Sequence, residues 1–296
     1  MGMSKMAMAA VLALLPAGLF PVGIARAAEP LRVVAAENFY GDLAQQIGGP
    51  SVEVTSILTN PNQDPHDFEA AASTARSVAD AALIIYSGAD YDPWMGKLLS
   101  ASKSSTRHVI VVADLVHRRS GDNPHLWYDP RTMPAAAKAL AAAFETADPV
   151  HKTDYEDRLK VFVGSLRAMN QRVDSMRRRF AGTVVTATEP VFGYMADALG
   201  LKMRNGAFQI AVMNDTEPSA RQVAAFENDL KTRKVKVLFY NSQVTDDLTA
   251  RLQKLARDSG VPVVGVSETE PPGMSYQDWM SGQLDALNKA LSGEGS

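Results

Sequence analysis

The sequence predicts an α/β protein of two lobes, each a largely parallel sheet flanked by helices, joined by one long helix. Three observations carry this. Apolar runs of strand length alternate with helix-length amphipathic runs from Leu31 to about residue 147, and the alternation restarts near residue 183. Between them lies a stretch free of internal proline with apolar residues at helical spacing. Strand–helix alternation marks a parallel sheet, because parallel neighbours need a crossover long enough to hold a helix.

The elements follow in order. "LRVVAA" (31–36) reads as a buried strand and "FYGDLAQQIGG" as an amphipathic helix ended by its glycine pair. "SVEVTSIL" (51–58) alternates and is rich in β-branched residues, as a strand requires. "STARSVADA" is helical, "ALIIYSGA" a strand, "DPWMGKLLSAS" helical and "RHVIVVA" a strand. Asp129 is placed to cap, and Pro130 to open, the helix "RTMPAAAKALAAAFETA". From Pro149 to Phe180, Tyr155, Leu159, Val161, Phe162, Leu166, Met169, Val173 and Met176 recur at helical spacing. A helix of that length spans about 45 Å, more than one lobe needs. Beyond it come the strand "TVVTATE", the helix "VFGYMADALG" and a helix "SARQVAAFENDL" opened by a Ser219–Gln222 capping box. The strand "VKVLFYN", a helix closed by Gly260, the strand "VPVVGVS" and a last helix "YQDWMSGQLDALNKAL" complete the second lobe.

The N-terminus has one lysine, Lys5, then an apolar run to Ile24 and the small-x-small triplet Ala25-Arg26-Ala27. That pattern predicts a signal peptide over 1–27, too short and too proline-broken for a membrane span. The expected divisions are then an N-terminal lobe 28–148, a linking helix 149–181 and a C-terminal lobe 182–296. With no cysteine in the chain, the expected protein is periplasmic and not a lipoprotein. Disulfides and thiolate metal ligands are excluded for the same reason. A net charge of −3 without a basic stripe gives no basis for nucleic-acid binding.

Ligands of open α/β sheets bind beyond the carboxyl ends of the strands. Four possible metal donors stand there: His66 in "DPHDFE", His125 in "NPHLWYDP", Glu189 at the end of "TVVTATE" and Glu268 after "VPVVGVS". Each has an ordinary alternative. A proline-flanked loop histidine can be a turn residue, Glu189 can simply close a strand before Pro190, and Glu268 lies in a polar turn beside Glu270. Their shared position, two per lobe on one edge of the sheets, favours a common site. His108, His117 and His151 fit no such scheme. Asp64 and Asp67 flank His66 and could orient it, while Trp94 and Trp127 could wall the cleft or pack the core.

These residues resemble the periplasmic metal-binding proteins of ABC-type importers, the TroA-like zinc, manganese and iron group whose two lobes are joined by a long helix. The resemblance covers essentially the whole mature chain. It rests on "NPNQDPHDFEAAASTARSVADAALIIYSGADYDPWMGKLL", "NPHLWYDP", "TEPVFGYMADALGL", "NDTEPSARQVAAFENDL" and "GVSETEPPGMSYQDWM". It implies that His66, His125, Glu189 and Glu268 hold one divalent transition metal (Mn, Fe or Zn) as transported ligand. The turn before Tyr276 is shorter than in many relatives, which leaves Glu270 as the alternative fourth ligand. The implied partner is an ABC permease in the inner membrane, and the implied molecule is a monomer that performs no catalysis.

Two neutral imidazoles and two carboxylates balance a divalent ion. Glu189, where zinc-specific relatives often have a histidine, leans the set towards Mn or Fe, as does the lack of a histidine-rich loop; the Irving–Williams order keeps Zn in contention. The rival reading is a periplasmic metal-dependent hydrolase using the same His/Glu site. The sequence has neither an H-E-x-x-H helix nor a G-x-S-x-G elbow to support it. A glycosidase built on Glu189 and Glu268 would leave both histidines unexplained.

Overall fold

The computed structural model describes residues 1–2, 29–62, 68–244 and 246–293. The signal-peptide reading, apart from Met1 and Gly2, and the donor His66 with Asp64 and Asp67 lie outside the described residues.

In the first sheet β1 (Leu31–Glu37) lies between β2 (Val52–Leu58) and β3 (Leu83–Tyr86), and β4 (His108–Val111) adds outside β3, all parallel. In the second, β5 (Val184–Ala187) lies between β6 (Lys202–Arg204) and β7 (Leu238–Asn241), with β8 (Val263–Val266) outside β7, again all parallel. The two sheets therefore share one order, the second strand of each lobe beside the first and the third on its other side. Each has its topological switch point between the strands that begin and continue that lobe, β1/β3 and β5/β7.

Helices α1 (Asn38–Gly48), α2 (Ala72–Asp80), α3 (Pro93–Ala101), α4 (Val112–Leu115) and α5 (Thr132–Ala147) belong to the first half. Gly49 follows α1 at φ 59°, a left-handed value that glycine adopts without a Cβ penalty. A 3-10 turn at Pro149–His151 leads into α6 (Lys152–Phe180), the expected long helix. Its buried stripe is Tyr155, Phe162, Leu166, Met169, Val173 and Met176, packed on α1 and α5. Val161, counted in that stripe from the sequence, is 72% exposed and lies off it. The second half adds α7 (Gly193–Ala198), α8 (Gly206–Met213), α9 (Ala220–Lys231), α10 (Asp247–Asp258) and α11 (Tyr276–Ser292), the last also packed on α6.

Three local expectations change. The apolar run "HVIVVA" leaves the strand at Val111, and its last residues enter α4. Asp129 does not cap α5: its carboxylate accepts from the Arg131 N–H at 3.0 Å and is gripped by the Arg131 guanidinium at 2.6–3.2 Å. β6 and α8 were not foreseen at all. The capping box is present, with Ser219 N–H donating to Gln222 Oε1 at 2.7 Å and Gln222 N–H to Ser219 Oγ at 3.4 Å.

One apolar core runs through both halves. Phe39, Trp127, Tyr128, Phe192, Phe239 and Trp279 belong to it, each fully or nearly fully buried and contributing about 1.5–3 kcal/mol by leaving water. Polar ties cross the same boundary. Tyr128 donates to Ser267 O at 2.8 Å, Tyr276 to Trp127 O at 2.7 Å, and Asn38 exchanges two bonds with the backbone of Glu270. These ties hold the carboxyl ends of both sheets towards a shared boundary.

Candidate metal site

The second-lobe switch point carries a row of polar side chains. Glu189 follows β5 in extended backbone (φ −139°, ψ 161°), the conformation that a following proline enforces, here Pro190. Asn241 ends β7, and Glu268 comes two residues after β8. All three are buried. Two carboxylates side by side in such a place repel strongly unless donors are supplied. Asn241 supplies them: its Nδ2 donates to Glu189 Oε2 at 2.5 Å and to Glu268 Oε1 at 2.6 Å.

His125 reaches this row from the first lobe, just before a 3-10 turn at Leu126–Tyr128, and is fully buried. Its Nε2 lies 3.3 Å from Glu268 Oε2. Its Nδ1 lies 2.6 Å from Asn123 Oδ1. The Asn123 amide is oriented, because Nδ2 donates to Pro190 O at 2.8 Å. Its oxygen therefore faces the ring, so Nδ1 carries the proton and donates. In the neutral ring that assignment leaves the Nε2 lone pair on the Glu268 side, the tautomer a metal-binding histidine needs. Tyr194 donates to Asn123 O at 2.8 Å, so the histidine turn is tied to the Glu189 turn twice.

The loop bearing Glu268 is held by Gln243, whose Oε1 accepts from the N–H groups of Glu268 (2.6 Å) and Thr269 (3.0 Å). Tyr91 faces Glu268 from the first lobe. Burial, then the Glu268 carboxylate, push its phenol well up, so it remains a donor. Trp127 packs edge-on to His125, centroids 5.4 Å apart, within the core; Trp94 packs tilted against Phe68 at 4.6 Å, in a separate apolar cluster. Glu270 turns elsewhere. Burial, then Asp42, push its carboxyl to about 9, and its Oε2 finds no hydrogen-bond partner.

The first lobe has its own acidic group, which the sequence reading did not single out. Glu37 ends β1 and is buried against Asp92. Asp92 accepts from the N–H groups of Ser87 (2.6 Å) and Gly88 (2.9 Å), yet burial still pushes it to about 6. Burial, then Asp92, push Glu37 well up, so Glu37 is the protonated partner.

His125, Glu189 and Glu268 are thus gathered at one boundary, and His66 lies outside the described residues. Among the described residues no three His, Asp or Glu side chains stand close enough to hold one ion. The Asn241 amide stands between one oxygen of Glu189 and one of Glu268. Asn241 was missed in the sequence, although it occupies at the end of β7 the place that Glu189 and Glu268 occupy after β5 and β8.

Residues 33–290 match the family described as "ZnuA: Zinc-uptake complex component A periplasmic". The iron ABC transporter substrate-binding lipoprotein MtsA of Streptococcus pyogenes serotype M1 is 24% identical over 89% of this chain and 90% of that protein. The manganese ABC transporter substrate-binding lipoprotein PsaA of Streptococcus pneumoniae serotype 4 is also 24% identical, with the same coverage. Among solved structures, the periplasmic zinc binding protein TroA from Treponema pallidum superposes with a TM-score of 0.73 at 22% identity, over 89% of this chain and 99% of that one. The Mn-bound periplasmic metal binding protein from Candidatus Liberibacter asiaticus gives 0.69 at 19% identity, over 88% and 99%.

The relatives correct one expectation. The protein was expected to be periplasmic and not a lipoprotein, yet MtsA and PsaA are both named lipoproteins. The unanchored placement is withdrawn. It had rested on the lack of cysteine, and an absent residue type is no statement of where a protein works.

Proposed function

The chain belongs to the zinc-uptake complex component A family, and from that premise we propose which side chains do its work. It is a metal-binding solute-binding protein of an ABC importer, with a single divalent transition metal (Zn, Mn or Fe) as transported ligand. It is not an enzyme, and the hydrolase alternative has no support. Its partners are the importer's permease and ATPase. The protein acts as a monomer without nucleic acid, its lobes 28–148 and 182–296 meeting about the 149–181 connection. His66, His125, Glu189 and Glu268 are the donors.

The observation that carries the donor assignment is the pairing of His125 Nε2 with Glu268 Oε2 at 3.3 Å, at full burial, with Nδ1 engaged by Asn123. A ring held in this tautomer presents its Nε2 lone pair beside a Glu268 oxygen, two donors within reach of one cation. Because an imidazole coordinates only when neutral, protons compete with the metal for these donors. Protein stripped with a chelator should take up one equivalent of Zn(II), Mn(II) or Fe(II) and melt higher. At about 100 times Kd the gain is about 2.7 kcal/mol. An unchanged melting temperature at saturating levels of all three ions would defeat the reading.

A further inference from the structure

Resting on that four-donor reading, we infer that Asn241 is a specificity-determining residue that limits each glutamate to one metal-binding oxygen and so favours zinc over manganese. A primary amide nitrogen has two hydrogens, and here one goes to each carboxylate, at 2.5 Å to Glu189 Oε2 and 2.6 Å to Glu268 Oε1. These are short contacts of the charge-assisted kind.

The amide is not free to turn away. Asn241 Oδ1 accepts from Gln243 N–H at 3.0 Å, and Asn241 N–H donates to Thr188 Oγ1 at 3.3 Å. Flipping the side chain would set its carbonyl oxygen against two carboxylates and leave the Gln243 N–H facing an NH2 group. Gln243 in turn holds the backbone of Glu268 and Thr269, so amide and carboxylate are positioned by one residue.

A carboxylate chelates an ion only with both oxygens turned to it. Each glutamate has one oxygen turned to Asn241 instead, while Glu268 Oε2 is the oxygen that faces His125. Two imidazoles with two single oxygens make four donors, the number zinc takes in tetrahedral sites. Manganese is better served by a higher count of oxygen donors. The geometry therefore opposes the lean towards Mn or Fe that the carboxylate-rich donor set suggested. The deciding group is a neutral amide outside the ligand set.

The test compares the parent with Asn241→Leu, close in volume but without N–H groups, and with Asn241→Ser. Each is stripped of metal, checked for folding by circular dichroism and titrated competitively with zinc and manganese sulfates. Zinc-edge X-ray absorption counts the donors. The expected result is four donors in the parent and a fall in the zinc-to-manganese affinity ratio of about tenfold or more in the variants. If the leucine variant does not fold, the serine variant decides. An unchanged ratio with both metals still bound would overturn the inference and leave the transport function standing. So would an equal tightening for both ions, which would make the amide a mere competitor. A parent that binds neither metal would overturn the four-donor reading itself.

Discussion

At the switch point of the first sheet, Glu37 and Asp92 meet directly; at that of the second, Glu189 and Glu268 meet across Asn241. The two sheets have the same strand order, so topology delivers a pair of buried carboxyl groups to the same edge in each lobe. The neighbours decide what becomes of them. In the first lobe burial raises both carboxyls, Asp92 to about 6 and Glu37 well above its ordinary value, so Glu37 keeps its proton beside Asp92. In the second, one amide donates to both groups, and Glu268 turns its other oxygen to His125. Position in the fold makes a place for chemistry, and the side chains packed around it decide what that place can do.

The comparison is broken most forcefully at His125. His125→Ala should lower zinc affinity by more than about 100-fold, since loss of a ligand should exceed the 10–100-fold typical of residues that only orient one. Because the ring is fully buried against Tyr91 and Trp127, the metal-free protein should also melt several degrees lower. Isothermal titration and a metal-free melt measure both. Parent-like affinity would make His125 a packing residue.

Asn123 sharpens it with a smaller effect. Asn123→Ala removes the acceptor that fixes the His125 tautomer and the tie to Pro190 O. Zinc affinity should fall by roughly 10-fold, the lower end of what such orienting partners contribute. The loss should be greater for the alanine than for Asn123→Asp, which restores the acceptor. If both bind like the parent, the tautomer is set by something other than this amide.

Most of the fold was legible because buried parallel strands are short continuous apolar runs and the helices between them keep a clear period. β6 was not: "KMR" is three residues with two charges, held by its pairing to β5. α8 was not either, since "GAFQIAVM" is apolar nearly all round and shows no face. Of the proposed site, His125, Glu189 and Glu268 could be read from their place after strands. The choice between Glu268 and Glu270 could not, because it depends on the elements each loop residue faces, His125 for one and Asp42 for the other. Asn241 escaped because an asparagine ending a strand reads as a turn former, and its partners lie 52 and 27 residues away. Glu37 escaped for a like reason: a glutamate followed by asparagine before a helix reads as a helix start.

The smallest expected effect tests whether Glu37 keeps its proton. The groups facing Glu37 are Asp92, Tyr40 and Tyr91, with Glu268 beyond Tyr91. Both carboxyl groups of the pair are raised in the folded protein, Asp92 to about 6 and Glu37 well above its ordinary value. A raised carboxyl holds its proton more tightly folded than unfolded, so the stability it lends is complete below about pH 4 and lost as pH rises through the folded values. Glu37→Gln cannot lose that proton, and its amide can still donate to Asp92. The variant should therefore melt with the parent near about pH 4 and higher than the parent by roughly 2–4 °C at about pH 8. Its zinc affinity should stay within about twofold of the parent's, because a protonated Glu37 contributes no charge that the substitution would remove. Melting curves across that pH range, with zinc titration at the upper end, check both halves. A variant less stable at pH 8, or one that loses zinc, would mean that Glu37 works as an anion and that the acidic groups of the two lobes form a single electrostatic unit.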